Sequence, residues 1–129
     1  MKTMLYAILI YGSESAAAAW APGVEEDLLE RHADLRDDLQ TQGRLGTVLR
    51  LMPDAATTVR RAGDTHPLVT DGPFAETKEQ LMGLYVVECE TVEEATHAAH
   101  RLAFETGVFE IRPITWYDPG AIPARIPQV

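Results

Sequence analysis

His32 and Asp71 are the residues of this chain best suited by type to proton chemistry. An imidazole titrates near neutral pH and can take or return a proton. A nearby carboxylate would fix its tautomer and favour its charged form. Asp71 opens the run Asp71-Gly72-Pro73-Phe74-Ala75-Glu76-Thr77-Lys78-Glu79. Gly72 supplies a permissive backbone, and Pro73 fixes its own φ and removes a donor. The run therefore reads as a rigid loop reaching the surface, where sites tend to sit. Its Phe74, Glu76 and Lys78 are candidates to line a pocket. Arg112, farther along, is a candidate for bidentate binding of an anionic substrate. Each residue also has a bland use. His32 can be a core histidine with one hydrogen bond, Asp71 a turn aspartate bonding its own backbone, and the charges a solvated face.

The elements that must position these residues follow from periodicity. Met4 to Tyr11 is an apolar run that reads as a central strand buried on both faces, rather than as a leader peptide. Gly12 to Gly23 is a small-residue connection. Val24 to Gln42 predicts an amphipathic helix whose stripe is Val24, Leu28, His32, Leu35 and Leu39, with Gly43 as its C-terminal stop. Leu45 to Met52 predicts a second strand. Thr57 to Arg61 and Pro67 to Thr70 predict a hairpin that presents the Asp71 loop. Met82 to Cys89 is the next strand. Thr91 and Glu94 form a capping box for a helix running to about Phe104, with Val92, Ala95, Ala99 and Leu102 as its stripe. Val108 to Tyr117 is the last strand, in which Phe109 and Ile111 alternate with Glu110 and Arg112 and Pro113 suggests an edge. Residues 118 to 129 are a Pro-rich tail beyond a single domain of residues 1 to 117.

The order β-α-β-(hairpin)-β-α-β is the split βαβ pattern of an α+β, ferredoxin-like fold. Two helices cover one face of an antiparallel sheet. The other face would be bare although the first strand is apolar throughout, which predicts face-to-face homodimerisation into a shared barrel.

The composition excludes several functions. The chain of 129 residues has a formal net charge of −9, and its only adjacent basic pair is Arg60-Arg61, so nucleic acid is not an expected partner. No apolar segment is long enough to span a membrane. One cysteine, Cys89, allows no internal disulfide and favours a cytoplasmic location; within its apolar run it reads as a buried thiol. His66, His97 and His100 lack the spacing of metal ligands. No phosphate loop, nucleophile elbow or dinucleotide fingerprint is present, so no cofactor is expected.

Val69-Thr70-Asp71-Gly72-Pro73-Phe74-Ala75-Glu76-Thr77-Lys78-Glu79-Gln80-Leu81 is a long, specific motif. With Leu9-Ile10-Tyr11-Gly12, His32, Thr57-Thr58-Val59-Arg60 and Glu110-Ile111-Arg112-Pro113-Ile114, it makes residues 1 to 117 resemble the YCII-related superfamily, within it the DGPF-domain branch. The resemblance implies a dimeric α+β barrel with a site in a cleft near the dimer interface. His32 resembles the family's helix-1 histidine and Asp71 its motif carboxylate. A relative in the wider superfamily resembles a dehydrochlorinase with a His/Asp pair. Many members are encoded beside extracytoplasmic-function sigma factors, which implies a regulatory link. Gly46-Thr47-Val48 and Ala103-Phe104 depart from the family pattern, which carries a Gly-Gly-Glu-like stretch and often a proline there.

The leading expectation is a cofactor-free small-molecule enzyme. His32 and Asp71 would shuttle a proton in elimination, isomerisation or hydrolysis of an anionic or carbonyl-bearing substrate, which Arg112 and Lys78 would hold. The alternatives are a ligand-binding or regulatory module linked to a sigma factor, and a non-catalytic dimeric structural domain.

Overall fold

A computed structural model describes residues 2–13, 20–63, 66–74 and 79–125. The elements in chain order are β1 (Met4–Gly12), α1 (Val24–Thr41), β2 (Leu45–Arg50), β3 (Thr57–Ala62), β4 (His66–Asp71), β5 (Gln80–Cys89), α2 (Val92–Leu102) and β6 (Val108–Pro113). Four strands form one antiparallel sheet in the order β2-β5-β1-β6, and β3 and β4 pair separately. This is the expected α+β, ferredoxin-like arrangement, with β6 at an edge as Pro113 suggested.

Side-chain alternation decides what lies under the helices. On β1, Tyr6, Ile8 and Ile10 are buried, whereas Leu5, Ala7 and Leu9 on the other face are half-buried. On β5, Tyr85, Val87 and Cys89 join the first set. Leu35 and Leu39 of α1 and Ala95, Ala98, Ala99 and Leu102 of α2 close over them. The small alanines of α2 let its backbone approach the sheet. Among the described residues the other sheet face carries no helix, and it is apolar along Leu5, Ala7, Leu9 and Leu84.

The helix ends follow their local chemistry. Gly43 adopts a left-handed φ of 69°, and the Arg44 N–H bonds back to the Leu39 carbonyl at 2.8 Å. The Glu94 N–H donates to the Thr91 hydroxyl at 3.2 Å, as a capping box requires. The return bond is displaced by one residue: the Glu94 carboxylate accepts from the Glu90 N–H at 2.9 Å. Arg101 of α2 pairs with Asp38 of α1 at 2.8 Å, and Arg31 of α1 donates to the Arg101 and Ala103 carbonyls at 3.2 and 2.8 Å. These contacts clamp the two helices together.

Two boundaries differ from expectation. β2 stops at Arg50, short of Met52, although the Leu51 N–H still reaches the Met82 carbonyl at 2.8 Å. β6 stops at Pro113, short of Tyr117; one further bond, from the Ile114 N–H to the Leu5 carbonyl at 2.9 Å, ends the pairing. The chain then carries Tyr117 to Thr47, hydroxyl to hydroxyl, at 3.1 Å. Gly107, just before β6, has no room for a side chain, since a Cβ there would overlap the Phe104 ring. Phe104 in turn packs edge-to-face on Trp20 and Phe109.

Leu35 is 1 % exposed at the centre of this core. Leu35→Ala is expected to destabilise the fold by about 2–5 kcal/mol in urea unfolding. Leu29→Ala, one helical face away and 51 % exposed, should change stability by no more than about 0.5 kcal/mol.

Candidate functional site

α1 and β5 together enclose His32, whereas His97 and His100 are exposed. His32 lies one turn after buried Leu28 and three residues before buried Leu35, so the helix turns it toward the sheet. Directly beneath, Tyr85 shares the helix-facing parity of Val87 and is 2 % exposed. The His32 Nδ1 and the Tyr85 hydroxyl are hydrogen-bonded at 2.7 Å, with ring centroids 5.7 Å apart.

Arginines surround this pair. Arg36 follows His32 by one turn on α1 and interacts with the Tyr85 hydroxyl. Val48 of β2 stands opposite Tyr85, and Arg50 stands opposite Gly83, so Arg50 shares the helix-facing side of β2. Burial lowers the His32 pKa first, and the charges of Arg36, Arg31 and Arg50 lower it further, from 6.5 to about 4. His32 is therefore neutral at pH 7. Burial raises the Tyr85 pKa, and Arg36 opposes that rise. The shared proton has two arrangements. The hydroxyl can donate to Nδ1, leaving the imidazole proton on Nε2. Alternatively Nδ1–H donates to the Tyr85 oxygen, leaving Nε2 as a free base. The pair can thus hold a proton or receive one with little motion.

Asp71 is placed elsewhere. It ends β4 opposite Thr57 and is exposed. Its hairpin is bonded to itself: the Thr58 hydroxyl donates to the Gly72 carbonyl at 2.6 Å, and the Gly72 N–H to the Ala56 carbonyl at 2.7 Å. Gly72 has a φ of 96°, the left-handed geometry that the Asp-Gly-Pro turn needs. Phe74 is 77 % exposed, and its carbonyl accepts from Arg60 at 3.4 Å. Glu76 and Lys78 lie outside the described residues. Arg112 stands opposite Ala7 on β1, on the face away from the helices. It is therefore across the sheet from His32. Neither the hydrogen bond of His32 nor the charges acting on it involve Asp71 or Arg112.

Tyr85, Arg36 and Arg50 were missed as site residues. Arg36 was legible, since it follows His32 at helical spacing. Tyr85 sat unremarked in an apolar strand because its partner is 53 residues away in sequence. Cys89 is buried, and burial raises its pKa, as befits an inert thiol. Among the described residues no three His, Cys, Asp or Glu side chains gather as metal ligands would, and no helix is long and apolar enough to cross a membrane.

The sequence is similar to known ones. The family profile of the YCII-related domain matches residues 4–118. An uncharacterised protein of Rhizobium meliloti (strain 1021) is 39% identical over 124 residues, covering 94% of this chain and 100% of the relative.

The low proton affinity of His32 has a measurable consequence for stability. The unfolded chain protonates this histidine near 6.5, the folded chain only near 4. Between those values the unfolded state binds more protons, so stability falls as the pH drops through that window and is unaffected above it. The difference in urea midpoint between the native protein and His32→Gln should follow this slope. A difference independent of pH would contradict the buried, neutral histidine.

Proposed function

The chain belongs to the YCII-related domain family, and we propose that it is a cofactor-free small-molecule enzyme in which His32 shuttles a proton. The observation that carries this reading is the 2.7 Å bond between a half-buried imidazole and a buried tyrosine hydroxyl. A neutral imidazole held by a hydroxyl suits proton abstraction or delivery in elimination, isomerisation or hydrolysis of a carbonyl-bearing or anionic substrate. Nearby fixed positive charge would stabilise an oxyanion or enolate as it forms.

The proposal keeps Asp71 as the carboxylate that orients His32 or stabilises its charged form, and Phe74, Glu76 and Lys78 as substrate contacts, in an assembled homodimer; Arg112, on the other sheet face, is assigned to the homodimer interface instead. Its support is the uncovered apolar sheet face on which Arg112 lies, and the exposed hairpin that carries Asp71. The same proposal places the protein in the cytoplasm, consistent with its lone buried thiol.

A second reading rests on the hairpin itself. Val59 and Val69 face each other across its strands at 63 and 57 % exposure, with Leu68 at 50 %. Such a ribbon suits a protein partner, as in a DGPF-type regulatory module linked to a sigma factor. It predicts partner capture that survives substitution of His32.

Two measurements test the enzymatic reading. Light scattering at micromolar concentration should give the mass of a dimer. On a panel of small carbonyl and carboxylate compounds, His32→Ala should lose about 10²–10⁴-fold of any turnover, while its circular dichroism matches the native protein. Turnover undiminished in that variant would refute the role given to His32.

A further inference from the structure

The charges around His32 are one-sided. The whole chain carries 20 acidic and 11 basic side chains, so a typical arginine here has carboxylates to choose from. Among the described residues the ion pairs employ Arg31, Arg44 and Arg101, with Asp27, Glu94 and Asp38 respectively. Arg31 is further occupied by two backbone carbonyls. Arg36 and Arg50 are in none of these pairs. They nevertheless flank the His32–Tyr85 pair from two different elements, Arg36 from α1 and Arg50 from β2, where the register sets it diagonal to Tyr85. The charged and titratable groups acting on the imidazole are Arg31 and Arg36 of α1 and Arg50 of β2, with the Tyr85 hydroxyl from β5. No carboxylate of the described residues is among them.

We propose that Arg36 and Arg50 bind the carboxylate, or an equivalent oxyanion, of a small organic acid beside the His32–Tyr85 pair. The ligand thereby supplies the counter-charge that the protein leaves out. Guanidinium groups suit this task, since their planar donors pair in parallel with an oxyanion. Arg36 also acts on the Tyr85 hydroxyl, and none of the ion pairs above includes it.

The arrangement couples binding to protonation. Burial does most to keep His32 neutral; of the three arginines that add to it, Arg36 and Arg50 are the ones the ligand neutralises. An anion between Arg36 and Arg50 therefore raises the proton affinity of the imidazole, and the site takes up a proton as it fills. By linkage the same ligand binds more tightly as the pH falls. The proposal deepens the enzymatic reading by assigning the substrate's anionic group and the charge state of His32 in the complex. Substrate binding, rather than the resting protein, would create the general acid.

The test follows the His32 ring resonances by NMR during pH titration of the full-length protein. Pyruvate, lactate and inorganic phosphate serve as probes, against sodium chloride at equal ionic strength. The His32 midpoint should rise from about 4 by about one unit or more with at least one probe, a tenfold gain in proton affinity. In Arg36→Gln/Arg50→Gln the midpoint should already be raised without ligand, and the probes should no longer move it. Arg50→Gln alone, at an exposed edge position, should show a smaller change in the same direction and guards against misfolding of the double variant. A midpoint that none of the three probes moves, or that moves equally in the double variant, overturns the proposal. This readout needs no turnover. A ligand-dependent shift with no reaction on any substrate would leave an anion-binding site and sink the enzymatic reading alone.

Discussion

The parity of β5 is the constraint on which the rest of this structure depends. It is an inner strand of the four-stranded sheet, paired with both β1 and β2. Because its side chains alternate, Tyr85, Val87 and Cys89 must all face the helices once one of them does. Val87 and Cys89 fill the core, and Tyr85, at the same parity two residues earlier, arrives under α1 beside His32. A one-residue slip against β1 would turn Tyr85 out and send Leu84 and Val86 inward. The hydrophobic core and the polar site therefore share one register. Burial of Val87, Leu102 and Ile8, each 0 % exposed, is what holds a tyrosine hydroxyl within 2.7 Å of an imidazole.

That placement explains the electrostatics. A half-buried histidine can be kept charged by a carboxylate or kept neutral by burial and cations. Here burial is the largest influence and three arginines reinforce it. The result is a neutral base or donor in a protein whose overall charge is strongly negative. The local field thus opposes the global one. Steering by net charge would repel anions from the surface at large, so an anionic ligand would find attraction only close to the arginines of α1 and β2.

Most of the fold was legible because it is written in local patterns. The period of α1, the Thr91–Glu94 box, the Gly43 stop and the alternation of β6 each depend on residues close in sequence. His32 was legible for the same reason, as an ionisable group on an apolar stripe. Its partner was not. Pairing His32 with Asp71 joined two residues of suitable chemistry, but chemistry alone carries no register. Tyr85 becomes visible only once β5 is set against β2 and α1. For Arg112 the signal was present: its alternation with Phe109 and Ile111 already put it on the wetter face, and those two residues pack against the core. Taken seriously, that parity separates Arg112 from a histidine on the inner face.

The β3–β4 hairpin shows the complementary case, in which local legibility says little about role. Its strands, its turn glycine and its Asp-Gly-Pro exit all follow from sequence. Yet a lone two-stranded ribbon is marginal in water, and this one exposes Val59 and Val69 as a facing pair. Its order must be helped from outside its own two strands. Part of that help is local, through the Thr58–Gly72 bond and the contact of Arg60 with the Phe74 carbonyl. The chain leaving this ribbon enters β5 at Gln80, five residues before Tyr85. Hairpin and site are thus linked through the same strand that registers the core.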